Sequence, residues 1–199
     1  LHTPDVATGD ALVLTHGAGS NCNAPLLVAV AEAFCAAGIA VLRCDLAFRQ
    51  ARPHGPPFPA MAVQDRAGLA RAVRAMRGRV PGKVFLGGHS YGGRQSSMLA
   101  AEEPELAAGL LLLSYPLHPP RRPADLRTAH FPKLATPAIF VHGTRDPFGS
   151  IDEMRGALAM VAGPYELVVI EGAGHDLDGK GSYARVAQTA LAAFRQAGL

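Results

Sequence analysis

Tryptophan is absent from the 199 residues, and cysteine occurs only three times. Cys22, Cys35 and Cys44 are odd in number and never in C-x-x-C spacing. That excludes a disulfide frame and a thiolate zinc site, and reads as free thiols in a reducing compartment. Long apolar runs are also missing: none reaches the roughly 18 residues a membrane-spanning helix needs. The N-terminal segment has no basic stretch followed by an apolar core, so no secretory signal and a cytoplasmic location are expected. Charge of one sign is scarce, with 19 Lys and Arg against 16 Asp and Glu. The densest basic group is Arg121-Arg122, too little for a surface that tracks phosphates, so no nucleic-acid partner is expected. No His, Cys, Asp or Glu grouping has metal-ligand spacing, and no metal is expected.

What is present is ordinary globular composition, long enough to close one hydrophobic core, and a single domain over residues 1–199 is expected. Short apolar runs at Ala11–Thr15, Ile39–Arg43, Lys83–Gly87, Gly109–Ser114, Ala138–His142 and Glu166–Ile170 are nearly continuous in hydrophobicity. Strands buried on both faces of a parallel sheet look like this. Helical periods lie between them. Leu69, Val73 and Met76 share one face of a segment over 61–77. Ser150 and Glu153 form a capping box ahead of Met154, Leu158 and Val161. Tyr183, Val186, Ala187, Ala190, Leu191 and Phe194 form a final stripe. Strand and helix in alternation predict a doubly wound α/β fold, a mostly parallel sheet of about six strands flanked by helices. In such sheets ligands bind beyond the carboxyl ends of the strands, so the residues after each strand carry the functional reading.

The third strand runs into Gly87-Gly88-His89-Ser90-Tyr91-Gly92-Gly93. Gly88-x-Ser90-x-Gly92 is a strand-to-helix turn with the serine at its apex, where only glycines let strand and helix pass so closely. The pentapeptide alone is weak evidence in a chain with 22 glycines. Its context strengthens it: an apolar strand before, a helix after, and partners downstream. A serine hydroxyl needs a base, and His175 stands in the glycine-rich turn after the last strand. The base needs an orienting acid, and Asp146 follows the fifth strand at the same end of the sheet. The order Ser, Asp, His fits the fold. Donors for a developing oxyanion are the Tyr91 amide and one from His16-Gly17-Ala18-Gly19-Ser20, with Ala18 favoured and Gly19 the alternative if the loop is shifted by one.

On these residues the chain resembles the α/β-hydrolase superfamily, in particular its small, nearly lidless members related to dienelactone hydrolase. HGAGS, LRCDLAF, GHSYGGR, YPLHPP and HGTRDPFG resemble a subgroup of short bacterial hydrolases whose domain also occurs in eukaryotic chromatin-associated and testis-expressed proteins. The resemblance covers about residues 11–194. It implies that the first strands of the usual eight-stranded sheet are missing or reduced, and that the short segment from Tyr115 to Thr136 replaces a helical cap. Dienelactone hydrolase carries cysteine at the elbow, so Ser90 argues against that reaction. The implied activity is cleavage of esters or thioesters of a small-molecule acyl substrate, without cofactor. A silent interaction module on the same scaffold is the alternative.

Among the remaining residues, Phe48 and His118 are candidates to contact substrate, because they stand in the loops after the second and fourth strands. His16 and His142 read as loop braces, His89 as a residue packed against the sheet, and Asp45 as a loop anchor. Arg49 and Arg94 read as solvated or surface-paired, with an acidic substrate as the alternative.

Overall fold

The computed structural model describes residues 1–178 and 183–199. Six strands form one sheet: β1 (Ala11–Thr15), β2 (Ala40–Cys44), β3 (Val84–His89), β4 (Leu110–Leu113), β5 (Ala138–Gly143) and β6 (Tyr165–Ile170). Their order is β2-β1-β3-β4-β5-β6, and every neighbouring pair is parallel. His2 adds one isolated antiparallel bridge to Val41 at the β2 edge. The helices are α1 (Pro25–Ala36), α2 (Ala47–Ala51), α3 (Ala62–Arg77), α4 (Tyr91–Glu102), α5 (Ile151–Leu158) and α6 (Tyr183–Gln196). None of these is long and apolar enough to cross a membrane.

Side chains alternate across the sheet, so each central strand feeds two cores. Val13, Leu86, Leu110 and Leu112 point to the face covered by Leu69 and Val73 of α3, Leu99 of α4 and Met154 of α5. Leu12, Leu14, Phe85, Leu111 and Leu113 point to the other face, against Leu27, Val30 and Phe34 of α1 and Val186, Ala190 and Phe194 of α6. The continuous apolar runs of the sequence follow from this double burial. Phe194 ties the second layer together, meeting Phe34 at 5.2 Å and Phe85 at 4.7 Å edge to face. A fully buried leucine in such a layer contributes about 2 kcal/mol relative to exposure.

The capping box forms as read: Ser150 accepts from the Glu153 amide while Glu153 accepts from the Ser150 amide. The segment after β3 is helical from Tyr91 itself.

The connections explain where a site can form. The segment after β1 leads to α1 on one face, and the segment after β3 leads directly to α4 on the other. These two neighbouring strands therefore send their chains in opposite directions, which opens a crevice between their carboxyl ends.

Candidate functional site

Ser90 sits at that crevice with φ 50° and ψ −116°. A non-glycine residue there is strained by about 1–3 kcal/mol, which the surrounding structure must over-determine. It is held from both sides. The Ser90 amide donates to Leu113 O at 2.8 Å, and its carbonyl accepts from the Arg94 amide in the first turn of α4. The flanking glycines are steric necessities. A Cβ on Gly92 would lie 2.5 Å from His16 O, and one on Gly88 would lie 2.8 Å from the Gly92 carbonyl carbon.

Ser90 Oγ lies 2.8 Å from His175 Nε2, and His175 Nδ1 lies 2.8 Å from Asp146 Oδ2. With Nδ1 donating to the carboxylate, Nε2 is left as acceptor for the serine hydroxyl. The Asp146 carboxylate is fully buried, and its Oδ1 accepts from the Phe148 amide at 2.8 Å. The Phe148 ring stacks on the His175 imidazole, centroids 4.1 Å apart and planes 31° apart. Behind the ring, His89 Nε2 donates to the His175 carbonyl at 2.9 Å. These contacts fix both the tautomer and the position of His175, which comes from a loop 85 residues beyond Ser90. Phe148 is a site residue that sequence reasoning missed. The only signal was its place two residues after Asp146.

The Tyr91 and Ala18 amides donate no hydrogen bond among the described residues, and both residues line the cleft with Ser90. Gly19 does not line it. The Ala18 loop is held by Arg49, which corrects the reading of that arginine as solvated. It is buried, and its guanidinium donates to four carbonyls: Ser20 at 2.9 Å, Ala18 at 2.9 Å, Gly55 at 3.2 Å and Arg52 at 3.3 Å. His16 serves the same loop, with Nδ1 donating to Gly17 O at 2.8 Å and Nε2 accepting from the Leu46 amide at 3.1 Å. Asp45 anchors the loop's far end by accepting from the Cys22 amide at 2.7 Å.

The cleft encloses about 510 Å³ and is lined by Ala18, Phe58, Ser90, Tyr91, Met98 and Phe148, with Arg94 and Arg127. Phe48 and His118 do not line it, which corrects both expectations of substrate contact. Phe48 is buried beneath the cleft floor, edge-on to Tyr91 at 5.8 Å and to His16 at 5.7 Å. Its hydrophobic ring is used as a support under the segments that carry His16 and Tyr91. His118 is buried too, its Nδ1 donating to Pro119 O and its Nε2 3.5 Å from Glu153 in the α5 cap. Phe58 and Phe148 provide the aromatic lining instead. Cys22 has its thiol pKa raised by burial, so it is not an activated nucleophile beside the loop.

Burial lowers the pKa of His16, His89, His130 and His142, with His130 brought down to about 4 by burial and by nearby Arg94 and Arg66. All four are therefore neutral in the folded protein near pH 7. The unfolded chain takes up protons near pH 6.5, before the folded one does, so stability falls as pH drops below that value. Each such histidine contributes a slope of at most about 1.4 kcal/mol per pH unit. The urea midpoint is expected to be clearly lower at pH 5.5 than at pH 7.5. Equal midpoints would show that these rings are protonated in the folded protein.

The sequence pattern of the family described as alpha/beta hydrolase domain matches residues 8–197. The chain belongs to the α/β-hydrolase family. This α/β-hydrolase is similar in structure to a dienelactone hydrolase from Anabaena variabilis, with 26% identity and a TM-score of 0.77 over 98% of this chain and 88% of that one. It also resembles an α/β serine hydrolase homologue from Coxiella burnetii, at 17% identity and a TM-score of 0.79 over 96% of this chain and 88% of that one. A third likeness is Est1E from Butyrivibrio proteoclasticus, described with ferulic acid bound, at 17% identity and a TM-score of 0.77, covering 96% and 92% of the two chains. The two matches at 17% speak to the fold alone. The likeness to a dienelactone hydrolase agrees with the resemblance read from the motifs, and the hydrolase keeps serine at its elbow.

Proposed function

We propose that this α/β-hydrolase cleaves ester or thioester bonds through a serine-bound acyl intermediate, with Ser90, His175 and Asp146 as its triad. The observation that carries this reading is the unbroken relay of two 2.8 Å hydrogen bonds from Ser90 Oγ through the His175 ring to Asp146. It lies at a strained apex in an open cleft, with two free amides beside it.

Ser90 Oγ attacks the carbonyl carbon as His175 Nε2 takes the hydroxyl proton. The carbonyl electron pair moves onto oxygen, and the resulting charge is received by the Tyr91 and Ala18 amides. The Tyr91 amide also opens helix α4, whose dipole favours negative charge there. Collapse of the intermediate expels the alcohol or thiol, which leaves with the proton from His175. Water then gives a proton to His175 and its oxygen to the acyl carbon, releasing the acid and restoring Ser90. Asp146 stabilises the imidazolium formed in each half. No cofactor is needed.

Labelling with a fluorophosphonate probe tests this directly, because the probe reacts only with an activated serine. The wild type is expected to label to completion and Ser90→Ala not at all. A folded wild type that refuses the label would overturn the proposal and favour an interaction scaffold.

A further inference from the structure

Arg94 and Arg127 face the same cleft as Ser90, and neither makes an ion pair with a carboxylate among the described residues. Arg94 stands in the first turn of α4, four residues after Ser90, and its buried Nε has no hydrogen-bond partner among the described residues. Arg127 returns from the segment between β4 and β5. Its Nη1 makes one long bond, to Pro116 O at 3.4 Å. Both residues also line a second hollow of about 520 Å³ beside the first, where His130, Lys133 and Glu102 join them.

The nearby acids are committed elsewhere. Glu102 pairs with Arg66 at 3.0 Å, and Asp125 pairs with Arg122 at 3.1 Å. Asp65, buried under the cleft floor, accepts from the Tyr91 hydroxyl and the Phe48 amide. Burial and the proximity of Arg94 both lower the pKa of Arg127. His130 is neutral near pH 7 and shares a 2.8 Å hydrogen bond with Ser97.

Two half-buried guanidinium groups without an ion-pair partner among the described residues repel each other and are poorly hydrated, with Asp125 acting on Arg127 only at longer range. An anion between them would offset both costs, and a planar or tetrahedral oxyanion matches the fork of donors on arginine. We infer that Arg94 and Arg127 form a subsite for an anionic group on the substrate, a carboxylate or a phosphate. The substrates are then esters or thioesters that also carry such a charge, for example half-esters of dicarboxylic acids. This rests on the hydrolase reading and narrows it from acyl compounds in general to anionic ones.

The test separates anion binding from catalysis. Ser90→Ala protein is titrated calorimetrically with glutarate and with methyl phosphate. Binding of at least one is expected, and the tighter of the two distinguishes carboxylate from phosphate. Adding Arg94→Gln or Arg127→Gln is expected to weaken that binding about tenfold or more, and Arg94→Lys less, since lysine keeps the charge but not the fork. Should Arg94→Gln fail to fold, Arg127→Gln carries the same test from a different element. No binding by the parent, or equal binding by the folded glutamine variants, would overturn the subsite. Hydrolysis of neutral p-nitrophenyl acetate by the wild type is measured alongside. Its failure would count against the hydrolase reading and leave the anion result standing by itself.

Discussion

Asp146→Asn is expected to lower kcat by about 10⁴-fold while leaving the fold intact. The size follows from the tautomer it imposes on His175. Asp146 Oδ1 accepts from the Phe148 amide, so the carbonyl oxygen of an asparagine must remain on that side. Its NH2 group then faces His175 Nδ1, where the carboxylate oxygen stood. The imidazole can accept that bond only by carrying its proton on Nε2, where it can no longer take one from Ser90. Turning the amide over would set two N–H groups against each other at Phe148. Steady-state kinetics on a p-nitrophenyl ester, with a thermal melt on the same sample, check the expectation. A loss below tenfold would remove Asp146 from the proposed mechanism. Asp176 is no substitute, because it adjoins His175 in sequence.

Arg49→Leu is expected to lower kcat by about 10²-fold or more and to raise KM as well. Losing one oxyanion donor has that order of effect in related chemistry. Arg49 would never touch the substrate; it holds the Ala18 carbonyl and three others. Without it the Ala18 amide is free to drift from the carbonyl oxygen, and the segment that carries Phe58 loses its bonds to the Arg52 and Gly55 carbonyls as well. Arg49→Lys should recover part of the rate, since an ammonium reaches fewer of these carbonyls. The fluorophosphonate labelling rate should fall in parallel, because phosphonylation draws on the same two amides. Unchanged kcat in a folded Arg49→Leu protein would mean that the Ala18 loop keeps its place through His16 and Asp45 alone.

The sheet was legible because its strands are buried on both faces and therefore read as unbroken apolar runs. Observed strand ends lie within one or two residues of those expected. Helix α1 escaped notice for a related reason: PLLVAVAEAFCA is apolar nearly all round and shows little periodicity. Ser90, Asp146 and His175 are legible because each stands shortly beyond the carboxyl end of a strand (β3 ends at His89, β5 at Gly143 and β6 at Ile170), in a turn whose glycines mark close packing. Phe48 and His118 were misjudged because position after a strand says where the chain is, and not which way a side chain turns. Arg49 was misjudged by its charge. Four convergent carbonyls can bury a guanidinium without any acid, and carbonyls leave no trace in a sequence. Arg127 and Phe58 lie in proline-rich segments, where chain direction depends on contacts made far away in sequence.

The segment between β4 and β5 is fastened at its base and exposed at its tip. The Arg127 amide donates to Leu117 O at 2.8 Å, the Tyr115 hydroxyl donates to Arg127 O at 2.6 Å, and Leu117 and Phe131 are buried on either side. Between them, residues 120–126 are solvated. Lengthening a loop whose ends are already clasped costs little entropy, about 0.6 kcal/mol per doubling. A helical hairpin grafted at Arg122 would therefore extend from this solvated tip, beside a segment whose Pro116 and Arg127 line the Ser90 cleft, without disturbing either core. The molecule is in this sense a chassis with an unused mounting point, on which selection or a protein engineer can build a lid that chooses its own substrates.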